Sequence, residues 1–251
     1  MYCTGEIMNY LLKKYFNTNK QVVFKVSNKC NIECEHCREN SGPNRDDLIS
    51  LEVIKKVFDQ LDNNWLITLQ GGEPSLFLDI CKEIVTIAKS KNIPSAFYSN
   101  GWWAENNEIC KQIFELNTEI IVISINEWTN KIIPIKNANI IADKIKDLPQ
   151  ILIYSECYEN FPKFKNQLNN SAHIVEYEID YCGRAKNFQK KYLGSPLCKR
   201  SGFSIEPNGE VFGNCCFSLN GCYFGNINNI NLNNLLKRKR LGERCLGREK
   251  N

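Results

Sequence analysis

Six short runs constrain the fold more than any other feature of this chain: VVFKV (22–26), WLITLQ (65–70), SAFYS (95–99), EIIVISI (119–125), ILIYS (151–155) and HIVEYEI (173–179). Their β-branched and aromatic residues follow one another with little polar interruption, as strands buried on both faces of a parallel sheet require. Between them lie stretches with helical spacing. The first, 51–61, carries apolar Leu51, Ile54, Val57, Phe58 and Leu61 behind an N-capping Ser50. Similar stretches follow at 77–89, 107–116 and 139–148, with a short polar segment around 161–168. Six such units in series predict an α/β protein, a partial (β/α)6 TIM-like barrel two units short of eight, with its chemistry on the loops after the strands.

Beyond Gly183 the texture changes. Gly, Asn and Cys become frequent, FSIEPNGEVFG (203–213) reads as a β-hairpin around Asn208-Gly209, and 231–241 reads as a helix. The expected organisation is an N-terminal segment (1–20), a core (21–182) and a small cysteine-rich extension with a hairpin and a helix (183–251). The extension is too small to build a core of its own, so something else must hold it together.

Thirteen cysteines decide the compartment. The N-terminus lacks the apolar core of a signal peptide, and no run approaches the roughly 18 apolar residues of a membrane helix. The expectation is a cytoplasmic chain with reduced thiols, where clustered cysteines bind metal more often than they pair. A net charge of +4 is too weak to argue for nucleic acid, and nothing points to a membrane partner.

Three of the cysteines stand together in CNIECEHC (30–37), on the loop after the first strand. Cys30, Cys34 and Cys37 form a C-x3-C-x2-C pattern. A structural zinc site wants four ligands, which here would have to include His36 or a remote residue. Three thiolates on one loop also suit a [4Fe–4S] cluster that keeps its fourth iron open. At the end of the second strand comes GGEP (71–74), in which two glycines allow close backbone approach to a ligand and Glu73 offers a carboxylate.

The pair of motifs, in this order and on these strand ends, resembles the radical S-adenosylmethionine (SAM) superfamily. The resemblance runs over nearly the whole chain from Gln21. It implies that Cys30, Cys34 and Cys37 hold a [4Fe–4S] cluster whose open iron chelates SAM. Gly71, Gly72, Glu73 and Pro74 would meet the methionyl end of SAM, and His36 would pack near its adenosyl end. SNG, with Ser99 and Asn100, matches the family's polar segment after strand three. Ser124 and Asn126 match the segment after strand four, where Asp is commoner than Asn. The implied reaction is reductive cleavage of SAM to a 5′-deoxyadenosyl radical that abstracts hydrogen from a substrate, with a flavodoxin- or ferredoxin-type donor supplying the electron.

The tail resembles the SPASM/Twitch extension of these enzymes, which implies an auxiliary iron–sulfur cluster on Cys198, Cys215, Cys222 and Cys245, with Cys216 the alternative to Cys215. Enzymes with such tails modify ribosomally made peptides or protein side chains by crosslinking, epimerisation or oxidation. A precursor peptide is therefore the leading substrate, although the short stretch before the first strand leaves little room for a leader-recognition domain. An aminocyclitol-like small-molecule dehydrogenase is the second reading, and a non-catalytic zinc or iron–sulfur binding protein the third. Cys81 and Cys110 fall within helical stripes and read as core residues, and Cys3 and Cys157 carry no assignment. Arg184, in YCGRA at the junction beside Cys182, reads as structural or as a partner for a carboxylate or substrate. KRKR (237–240) suits a helix C-terminus, and His173 reads as a packed or surface residue.

Overall fold

The computed structural model of the protein describes residues 20–157, 164, 166–168, 173–177, 184, 202–213 and 223–240. Each of the six apolar runs forms a strand: β1 (Gln21–Lys25), β2 (Leu66–Gln70), β3 (Ser95–Ser99), β4 (Ile120–Ile125), β5 (Ile151–Cys157) and β6 (His173–Tyr177). They lie parallel and side by side in chain order, with Val22 opposite Ile67, Leu69 opposite Phe97 and Val122 opposite Ile153. On the free edge of β1, β7 (Gly202–Ile205) adds in parallel, and β8 (Glu210–Gly213) and β9 (Tyr223–Asn226) follow antiparallel. The sheet runs β6-β5-β4-β3-β2-β1-β7-β8-β9 and is not closed among the described residues.

Helices α1 (Leu51–Phe58), α2 (Leu78–Ser90), α3 (Asn107–Leu116) and α5 (Lys136–Ile145) cover one face, and a four-residue α4 (Glu127–Asn130) follows β4. Because side chains alternate along a strand, each strand feeds two cores. Val22, Phe24, Ile67, Leu69 and Phe97 pack under the helices against Ile54, Phe58, Ile84 and Ile113. Their neighbours Leu66, Ala96, Ile120, Val122 and Ile153 form a smaller cluster on the opposite face. Cys81 and Cys110 are buried in the helical core.

Ser50 caps α1 as expected, its hydroxyl accepting from the Val53 N–H at 3.2 Å. The α5 helix starts at Lys136 and not 139, because Asn137, Ala138, Ile141, Ala142 and Ile145 supply the buried stripe, whereas Leu148 is exposed. Half of the expected segment around 161–168 lies outside the described residues. Residues Phe224–Asn226, ahead of the expected helix, belong to β9, which pairs with β8 across a register shift at Val211/Phe212.

The described part of the tail continues the main sheet. Phe203, Ile205 and Val211, together with Leu232, Leu235 and Leu236 of α6 (Leu232–Arg240), belong to the same core as β1 and α1. Apolar packing and a parallel ladder hold it there. Among the described residues no helix is long and apolar enough to cross a membrane.

Candidate active site at the strand ends

The loop after β1 carries the three cysteines. It is closed at its neck by Cys30 N–H donating to Gly42 O (3.1 Å) and Gly42 N–H to Asn28 O (3.2 Å). Below the neck the Asp47 carboxylate accepts from the backbone N–H (2.6 Å) and side-chain amide (2.7 Å) of Asn28. Within the loop Cys37 N–H donates to Cys34 O at 3.1 Å. Cys30 is buried, Cys34 and Cys37 are half-buried, and all three are free thiols.

Burial pushes the Cys30 thiol up to about 12, with further upward pressure from Glu73, Cys34 and Cys37, against one backbone hydrogen bond. Burial likewise pushes Cys34 up to about 11, opposed by the Thr129 hydroxyl and by Arg184. The protein itself thus disfavours the thiolates that ligation requires, and a cationic metal group is what would release their protons. Three soft donors on one loop fit iron of a [4Fe–4S] cluster.

GGEP reaches this loop through its backbone. Gly72 N–H donates to Ser27 O (2.7 Å) and Glu73 N–H to Lys29 O (2.9 Å). A Cβ at Gly71, whose φ is +131°, would lie 2.2 Å from Ser27 O, and one at Gly72 would lie 2.0 Å from Lys29 O. These glycines let the GGEP turn approach the chain leading into Cys30 closely.

Glu73 is 1% exposed. Its carboxylate accepts from Ser75 N–H (3.2 Å), Ser75 Oγ (2.5 Å), Ser99 Oγ (2.8 Å) and Asn100 N–H (2.8 Å). Burial raises its pKa, and the hydrogen bonds from Asn100, Ser75 and Ser99 oppose the rise. Pro74 opens a short 3-10 helix, Pro74–Leu76, that Glu73 caps. Trp102 and Trp103 donate their indole N–H groups to Ser75 Oγ and Ser99 Oγ, both at 2.7 Å. Asn100 completes the join: its side-chain amide donates to Asn31 Oδ1 at 2.9 Å and lies 3.7 Å from Cys30 Sγ.

The far wall comes from the segment after β4. Asn126 is buried and caps α4, its Oδ1 accepting from Thr129 N–H at 2.8 Å. Ser124, two residues earlier, is half-buried. The Thr129 hydroxyl lies 3.7 Å from Cys34 Sγ. Trp128 stacks on His36 with ring centroids 4.7 Å apart and planes 21° apart. Burial, then Arg184 and Arg38, hold His36 neutral, its pKa pushed down to about 4. His36 Nδ1 is buried without a hydrogen-bond partner.

Several of these residues were missed in the sequence. Thr129, Trp128, Ser75 and Asp47 carry no motif. Lys25 did carry a signal, because a lysine inside an apolar strand must be paired. It is 1% exposed and ion-paired with Glu39, at the end of the cysteine loop, and with Glu206, just after β7. Cys3, Cys182, Cys198, Cys215, Cys216, Cys222 and Cys245 lie outside the described residues.

The family model of the radical SAM superfamily matches residues 24–152. YydG, a protein of Bacillus subtilis (strain 168) named for peptide biosynthesis, is 26% identical over 165 residues, which are 63% of this chain and 50% of YydG. The chain thus spans half the length of that relative. Among solved structures, anSMEcpe with bound AdoMet superposes with a TM-score of 0.64 at 16% identity, over 87% of this chain and 80% of its own. Streptococcus suis SuiB bound to precursor peptide SuiA gives 0.61 at 12% identity, over 92% of this chain and 68% of its own. These two share the fold. A family match over more than half of the chain, from the first core strand to the fifth, makes this protein a member of the radical SAM superfamily, and so an enzyme that works with a [4Fe–4S] cluster and S-adenosylmethionine.

Proposed function

We propose that the chain modifies a ribosomally made peptide or protein side chain, with Cys30, Cys34 and Cys37 each holding one iron of the cluster. The observation that carries the cofactor site is the convergence of separate motifs. Glu73 is hydrogen-bonded to Asn100, and Asn100 to the loop that bears Cys30. Three thiols on one loop suit sulfurs that each take a separate iron better than a mononuclear zinc, which wants four ligands.

When bound and reduced, the cluster with SAM supplies the 5′-deoxyadenosyl radical that takes hydrogen from the substrate. The chain's own residues bind, orient and exclude water. Cys30, Cys34 and Cys37 give up their protons on loading. Glu73 fixes Ser99 and Asn100, and the Asn100 amide is the polar group of this set placed beside Cys30. Gly71, Gly72 and Pro74 hold the turn against the cysteine loop. His36, neutral and stacked on Trp128, offers a flat wall on the side formed by the end of β4 and the segment after it, to which Ser124 and Asn126 belong. Cys198, Cys215 or Cys216, Cys222 and Cys245 would hold an auxiliary cluster in the extension 183–251, and a flavodoxin- or ferredoxin-type protein would deliver the electron.

The peptide reading is supported by YydG's name and by SuiB, a chain of this fold that accommodates a precursor peptide. The test is anaerobic reconstitution followed by reduction with SAM. Iron of about 8 per chain fits two four-iron clusters, and about 4 removes the auxiliary one. Replacing Cys30, Cys34 and Cys37 by Ala should abolish 5′-deoxyadenosine formation and leave any tail cluster detectable. Loaded, reduced protein that forms no 5′-deoxyadenosine sinks the enzyme reading. A short peptide encoded beside the gene should change mass on turnover, and an unchanged peptide counts against the substrate class.

A further inference from the structure

Arg184 is the described residue that reaches the cysteine loop from furthest along the chain. Its Nε donates to Cys34 O at 2.8 Å across a separation of 150 residues, and its own backbone N–H donates to Cys37 O at 2.9 Å. One terminal nitrogen donates to Ser41 O at 2.6 Å, and the other lies 3.4 Å from a Glu33 carboxylate oxygen. A single residue thus holds the carbonyls of two of the three cysteines and both flanks of the loop. Its side chain is 22% exposed, so water competes little for these bonds.

We infer that Arg184 is a positioning residue for the cysteine loop, fixing the relative placement of Cys34 and Cys37 and thereby the retention of the cluster. This rests on the cluster reading above. The loop has a structural need for such a residue. Three thiolates brought together repel one another, and only one backbone bond inside the loop, Cys37 N–H to Cys34 O, ties the second and third cysteines to each other. A guanidinium supplies several donors in a fixed planar fork, which matches carbonyls at Cys34 and Ser41 simultaneously. A lysine ammonium is a point charge that could serve one of them. Residues that orient metal ligands without touching the metal typically affect affinity about 10- to 100-fold.

The experiment compares full-length wild type, Arg184→Gln and Arg184→Lys after anaerobic reconstitution. It measures the rate of iron loss to a chelator, alongside the urea midpoint of each metal-free protein. The expected result is a rate of iron loss at least about tenfold faster in R184Q. R184K should fall between it and wild type, and the metal-free midpoints should move little. Wild-type retention in R184Q overturns the inference. If R184Q does not fold, R184K decides: retention equal to wild type overturns the inference, and faster loss upholds it. Failure of wild type to take up iron is a different outcome and defeats the cluster reading itself.

Discussion

His36 and Trp128 share a stacked face beside the cysteines, and the buried imidazole stays neutral because burial and two arginines disfavour its charge. The consequence for pH has a definite sign. An unfolded chain protonates this histidine near 6.5, whereas the folded one resists until about 4. Between those values the unfolded state binds more protons, so stability is lost as pH falls. The contribution is about 3 kcal/mol at most. Urea midpoints of metal-free wild type and His36→Phe, taken at pH 7, 5.5 and 4.5, should diverge as pH falls, with wild type losing the more stability. Phenylalanine keeps the stacking and removes the titration. Parallel pH curves for the two proteins would contradict this account.

Among the elements, β1 is the one that ties the site together, and its Lys25 is the reason. Replacing Lys25 by Met keeps the length of the side chain and takes the buried cation from Glu206 and from Glu39, which keeps Arg38 at 3.6 Å; the loss should cost about 3 kcal/mol in urea unfolding of the metal-free protein. Glu206→Gln should cost less, since Lys25 keeps Glu39. Equal losses would mean that the ion pairs are not the source of the effect. The elements themselves were largely legible: six runs of buried β-branched residues became six strands, because nothing but a two-sided sheet accommodates them. The start of α5 and the strand β9 were not. The first was set by which face met the core, and the second by pairing with β8, a partner not evident within its own four residues. The site divided in the same way. Its cysteines and GGEP are contiguous and could be read, whereas Thr129 reaches Cys34 across 95 residues and Arg184 across 150. No local pattern encodes a contact of that range.

At the scale of the whole molecule, the barrel core and the described tail share one sheet and one apolar core. They should therefore open as one cooperative unit. Native-state hydrogen exchange checks this: amides of Val22 to Phe24 and of Phe203 to Ile205 should exchange with similar opening free energies. Phe203→Ala removes a fully buried ring set between Trp65 and Phe224, and should cost about 3–5 kcal/mol. It should lower protection in β1 as well as in the hairpin, and loss confined to the hairpin would show two independent units. The position of β1 between β2 and β7 also bears on how the protein is made. On the ribosome β1 emerges early, finds β2 soon after, and keeps a bare edge until residues 202–205 have been synthesised. Throughout that interval its unpaired N–H and C=O groups invite pairing with other nascent chains. Glu206 arrives only just after β7, so the ion pair that joins it to Lys25 forms late, after the Lys25–Glu39 pair can already be made. The Lys25 side chain, which Glu39 ties to the cysteine loop, thus gains its second carboxylate partner only after residues 202–206 have been made.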